Sequence, residues 1–122
     1  MSASFALVRF APTIPVSDVE RSAAFYASVL GMDEVFRNGD PTGFVILERA
    51  GVELHLTLVP GHRGTTANVA HLMVHGVDAL YGRCAELGVP IVKGIRDADF
   101  GLRTFVFADP DGNRVDVGEE RA

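Results

Sequence analysis

Fifteen residues, VSDVERSAAFYASVL (16–30), recur in outline 58 positions later, without a gap, as VHGVDALYGRCAELG (74–88). Val19 falls on Val77, Ser22 on Leu80, Ala23 on Tyr81, Tyr26 on Cys84 and Val29 on Leu87. The spacing 0, +3, +4, +7, +10 is one face of an amphipathic helix in both copies. The following segments repeat as well. FVILERAGVELHLTL (44–58) and FVFADPDGNRVDVGE (105–119) align at a step of 61, with Gly51 on Gly112 and His55 on Asp116. Each reads as strand, tight turn, strand. The repeat therefore predicts a single α+β domain of two tandem βαβββ modules, about 5–59 and 69–119, joined by a Pro/Gly/Thr-rich linker at 60–68. Ser17 and Glu20 are expected to form a capping box at the first helix, with Gly31 and Gly88 at the helix ends.

Strand alternation predicts which side chains are available for chemistry. Leu54, Leu56 and Leu58 should lie under the first helix, which turns Glu53, His55 and Thr57 the other way. Val115 and Val117 make the same statement for Arg114 and Asp116. The expected fold is then two curved mixed sheets around a groove, helices on the outer face, with polar side chains lining the groove. Phe36, Phe44 and Phe100 sit near loops that would rim it, as flat surfaces for a planar ligand. His75 and His62 are expected to be solvated, and Cys84, on the apolar helix stripe, to belong to the core. Asp116 taken alone also suits a solvated strand position.

Composition narrows the classes. The chain has 122 residues, 48% hydrophobic and 22% charged, which is the range of a folded domain. Its net charge of −5 argues against nucleic acid as a partner and suits a cationic ligand. No apolar run is long enough to span a bilayer, and a single cysteine fits a reducing, cytoplasmic setting.

The tandem modules, VSDVERSAAFYASVLGM and the closing DPDGNRVDV resemble the vicinal oxygen chelate superfamily of glyoxalases, extradiol dioxygenases and antibiotic-resistance proteins. Within it, VELHL, LMVHGVDALYGRCAELGVP and FGLRTFVFADPDGNRVDVG are most similar to the bleomycin-resistance proteins. That resemblance implies a metal-free homodimer that sequesters a cationic antibiotic in a groove, with no catalytic residues. The groove residues are then Phe36, Phe44, His55, His71, Phe100, Arg103 and Asp116. The superfamily's enzymes instead take metal ligands from the first and last strand of each module. The last-strand positions fall on His55 and Asp116, but the first-strand positions fall on Ala11 and Val69, which have no donor. The repeat sets His71 opposite Thr13, one rung beyond the ligand position. The alternative expectation is a lyase or dioxygenase holding Fe, Ni, Zn or Mn through His55, Asp116 and His71.

Overall fold

The computed structural model describes residues 4–121. The elements run β1 (Thr13–Val16), α1 (Val19–Leu30), β2 (Asp33–Asn38), β3 (Phe44–Arg49), β4 (Val52–Leu58), β5 (Asn68–Met73), α2 (Val77–Glu86), β6 (Ile91–Asp97), β7 (Leu102–Ala108) and β8 (Arg114–Glu120). They form two four-stranded sheets of identical plan, β1-β4-β3-β2 and β5-β8-β7-β6. In each the first strand runs parallel to the last and the other neighbours are antiparallel. This is the tandem βαβββ architecture expected from the repeat. The first module was expected from about residue 5, but its first strand starts at Thr13, and residues 4–12 form neither helix nor strand.

Both helices cover their own sheet and also touch each other. One hydrophobic cluster consequently spans the modules, joining Ile14, Tyr26, Leu47 and Leu56 to Val77, Cys84, Phe105 and Phe107. Cys84 is fully buried, as its place on the helix stripe predicted. Gly82 lies inside α2 with nothing within 4 Å of where a Cβ would stand. Gly82→Ala is therefore expected to raise stability by about 0.5–1 kcal/mol, read as a higher denaturant midpoint at unchanged slope.

The helix starts differ from the expected capping box. Asp18 is the N-cap of α1, its side chain accepting from the Arg21 N–H at 3.0 Å. The Ser17 hydroxyl instead donates across the molecule to Asp111, in the turn before β8. At α2 the N-cap is Gly76, which has no side chain to offer. Glu119 of β8 takes that role, accepting from Val77 N at 2.9 Å and Gly76 N at 3.1 Å. Those backbone bonds hold its carboxyl below the usual glutamate range. The folded-state value is depressed, so this cap contributes above the ordinary glutamate pKa and is lost as pH falls through the lowered one. Glu119→Gln should flatten that part of an acid-stability profile.

The turn Asp109–Asn113 fastens the modules together. Asp109 is buried, and its Oδ1 accepts from Asp111 N and Asn113 N, both at 2.9 Å. Its Oδ2 accepts from Tyr26 of α1 at 3.0 Å and Asn113 Nδ2 at 2.9 Å. Asn113 Nδ2 also reaches the Pro15 carbonyl in β1. Burial, and then the Asp109 charge, push the Tyr26 phenol far above its normal pKa, so it remains a donor. The linker joins the same knot: Gly64 N donates to Asp111 O at 2.8 Å, and His62 Nε2 lies 2.9 Å from Asn113 Oδ1. His62 is thus half-buried and bonded, contrary to the solvated position expected of a linker residue.

Candidate ligand groove

The face of each sheet turned away from its helix presents the polar and aromatic side chains. On the first sheet, β3 sets Phe44 opposite Thr57, Ile46 opposite His55 and Glu48 opposite Glu53. Phe36 of β2 stands beside Ile46. The Phe44 ring meets His55 edge-on at 5.5 Å, and Phe36 meets Phe44 at 6.2 Å. His55 Nε2 donates to Glu53 at 2.8 Å, while Arg9 approaches the other Glu53 oxygen at 3.3 Å. The result is an aromatic row ending in a half-buried carboxylate.

On the second sheet, His71 stands directly opposite Asp116, and Asp116 opposite Val106. His71 Nδ1 donates to Asp116 Oδ2 at 2.6 Å. The Thr104 hydroxyl lies 2.7 Å from the Val117 carbonyl and 3.1 Å from Asp116 Oδ1, fixing the carboxylate from the other side. His71 Nε2 rests 3.0 Å from Met73 Sδ. An added Cβ at Gly118 would come 3.4 Å from that sulfur, so the missing side chain leaves room for it. The repeat's pairing holds here: Thr13 faces His55 across a parallel ladder as His71 faces Asp116.

These two faces are separate walls. The covered faces and the helices share one core, so the uncovered faces lie outside it, and one chain does not close a groove between them. Phe36, Phe44 and His55 are together on the first wall; His71 and Asp116 are together on the second. The three residues of the alternative metal set do not meet within the chain. Among the described residues no three His, Cys, Asp or Glu side chains gather as a metal site.

Phe100 stands in the turn between β6 and β7, highly exposed. Arg103 does not belong to the groove. It shares its strand face with Phe105 and Phe107, both core residues on the helix side, and its guanidinium grips Asp78 of α2 and Asp97. The hydrogen bonds from Arg103 hold the Asp78 carboxyl below its usual range. Residues that the sequence reading passed over are Met73 and Thr104. The alternation of β7 around Phe105 places Thr104 on the groove side, and the same parity places Met73 with His71.

A model of the Glyoxalase/Bleomycin resistance protein/Dioxygenase superfamily matches residues 6–117. A protein named "Bleomycin resistance protein" from Geobacillus stearothermophilus is 27% identical, the match covering 85% of this chain and 90% of that protein. The crystal structure of a superfamily member from Sphaerobacter thermophilus superposes with a TM-score of 0.78 at 31% identity, over 95% of this chain and 98% of that one. A bleomycin-binding protein crystallised with bleomycin shares the fold, with a TM-score of 0.79 at 22% identity, covering 94% of this chain and all (100%) of that one.

Proposed function

The chain belongs to the Glyoxalase/Bleomycin resistance protein/Dioxygenase superfamily, and from that premise we propose that it sequesters a cationic, partly aromatic small molecule of the bleomycin type. The observation that carries this reading is the Phe36–Phe44–His55 row ending at Glu53. Aromatic edges and faces supply stacking surface, and a carboxylate beside them supplies the counter-charge. Asp116 places a second carboxylate on the opposite wall. The relative named for bleomycin resistance, and the net charge of −5, support the same ligand class.

The proposed binding form is a homodimer. Each chain carries both walls on the outside of its core, so apposing the first wall of one copy with the second wall of another completes two equal grooves. That is the self-complementary arrangement a two-fold axis requires.

Titration calorimetry with bleomycin tests this directly. Binding heat is expected, with one ligand per groove, together with protection of DNA from bleomycin cleavage. Phe44→Ala should weaken binding by about tenfold or more while leaving the fold intact. No heat at ligand concentrations up to about 1 mM would exclude bleomycin as the ligand.

The His71–Asp116 pair favours a second reading, a metal-dependent lyase or dioxygenase. There His71 and Asp116 would share a divalent ion with His55 of another copy, and the ion would polarise a chelating substrate. In this reading Asp116→Ala abolishes metal uptake. Less than about a tenth of an equivalent of Fe, Ni, Zn or Mn after reconstitution removes it.

A further inference from the structure

His71 and Met73 of β5 share the face turned away from the helices, because side chains two apart on a strand point the same way. Leu72 between them packs toward the core. Met73 stands opposite Gly118 across the parallel ladder, so no side chain fills the space beside it. A Cβ built on Gly118 would meet Leu102 Cδ1 at 3.2 Å, Met73 Sδ at 3.4 Å and His71 Cε1 at 3.6 Å. Those three residues surround a small open nook on the second wall.

One contact in this nook holds no hydrogen. The Asp116 carboxylate, 2.6 Å from His71 Nδ1, can only accept, so Nδ1 carries the hydrogen of the neutral imidazole. Nε2 then presents a lone pair. It faces Met73 Sδ at 3.0 Å, and a thioether sulfur has no hydrogen to give either. Two electron-pair donors converge with nothing between them. A carboxylate on the far nitrogen is also the usual support of a metal-binding histidine, because it fixes the tautomer and raises the basicity of the free nitrogen. The Thr104 hydroxyl, 3.1 Å from the other Asp116 oxygen, holds that support in place.

We propose that His71 Nε2 and Met73 Sδ form a site for a soft monovalent metal ion, the cuprous ion, with Ag(I) as its redox-inert counterpart. Imidazole suits copper, and a thioether selects Cu(I) over hard divalent ions. Bonds of about 2.0 Å to nitrogen and about 2.3 Å to sulfur separate the two ligand atoms by up to about 4.3 Å. The present contact therefore opens as the ion enters. Met73 supplies that movement: its side chain is unbranched, the residue is 44% exposed, and Gly118 leaves it room. The His71 side chain is 47% exposed, so the ion reaches both ligands from solvent. Asp116 offsets the ion's charge from across the imidazole ring. This site differs from the divalent-ion reading above, since it uses a sulfur in place of the carboxylate and is complete within one chain.

Titration of Ag(I) into protein with isotope-labelled methionine methyls reads the site directly by NMR. The chain has three methionines, of which Met32 is buried in the core. The Met73 methyl, identified by its loss in Met73→Leu, should shift to saturation at one equivalent while Met32 stays still. The shift should persist in Cys84→Ala, which removes the buried thiol as a rival ligand. In anaerobic competition with a Cu(I) chelator, Met73→Leu and His71→Gln should each weaken binding by about 100-fold. Asp116→Asn keeps both ligand atoms and should weaken it by about tenfold. Uptake of divalent ions is a separate result, which Met73→Leu should leave unchanged. A Met73 methyl that ignores Ag(I), or a Met73→Leu chain that binds it as tightly as the parent, overturns the proposal. An Asp116→Asn loss as large as that of Met73→Leu makes the carboxylate the ligand and overturns it too. So does nitrogen NMR showing His71 Nε2 protonated at neutral pH, since the contact is then an N–H···S hydrogen bond.

Discussion

Asp109→Ala is expected to cost about 3–4 kcal/mol, lowering the melting temperature by roughly 10–15 °C. The carboxylate is buried and accepts four hydrogen bonds from three residues. Removing it strands the Tyr26 hydroxyl and two backbone N–H groups and leaves Asn113 Nδ2 with only its bond to the Pro15 carbonyl, and each stranded donor costs more than the bond itself contributed. Asp109→Asn keeps the shape and one acceptor oxygen, so its loss should be about half as large. Tyr26→Phe removes one donor along with the need for it and should cost only about 1 kcal/mol. A double-mutant cycle between the two positions should show strong non-additivity, since either change alone breaks the same bond. Equal losses for Asp109→Ala and Tyr26→Phe would mean that the turn is held by its backbone and not by this carboxylate.

Gly64→Ala is the second large effect, at about 2–3 kcal/mol. A Cβ at this position would lie 2.1 Å from the Gly112 carbonyl oxygen and 2.2 Å from its carbon. Both obstacles are backbone, so no side-chain rotation relieves the overlap. The linker must lift away, breaking the Gly64–Asp111 bond and pulling His62 from Asn113. Trypsin provides a local readout: cleavage after Arg63 should accelerate markedly in the variant. Gly43→Ala is the control. It has nothing within 4 Å of its Cβ and should stay within about 0.5 kcal/mol of the parent. If the two glycine variants melt together, the linker does not press on the Gly112 turn.

How much of this was legible in the sequence depended on the range of the interaction. The ungapped repeat located both helices and the strand–turn–strand units, because periodicity is local and doubled evidence fixes its register. Strand alternation likewise placed His55 and Asp116 away from the helices. The same alternation, counted from Phe105, would have excluded Arg103 from the groove. The resemblance of FGLRTF to a ligand-binding segment outweighed it, and the acidic partners Asp78 and Asp97 settle the orientation. Ser17 looked like a cap since Glu20 follows at the capping-box distance. Its actual partner, Asp111, is 94 residues away and invisible to any window. The roles of Asp109 and His62 were hidden for the same reason. His71 is a subtler case. The repeat put it on the correct strand face, but only the parallel pairing of β5 with β8 shows it directly opposite Asp116.

The shared core also bears on how the molecule comes apart. Tyr26 of the first module is completely buried among residues of both, and the turn before β8 clasps β1, α1 and the linker at once. Neither half retains a finished interior when the other melts. The chain should therefore unfold as one cooperative unit, its calorimetric and van't Hoff enthalpies agreeing despite the visible duplication. A single module with this architecture would need a second copy to fold against, so carrying both modules on one chain makes that pairing independent of concentration.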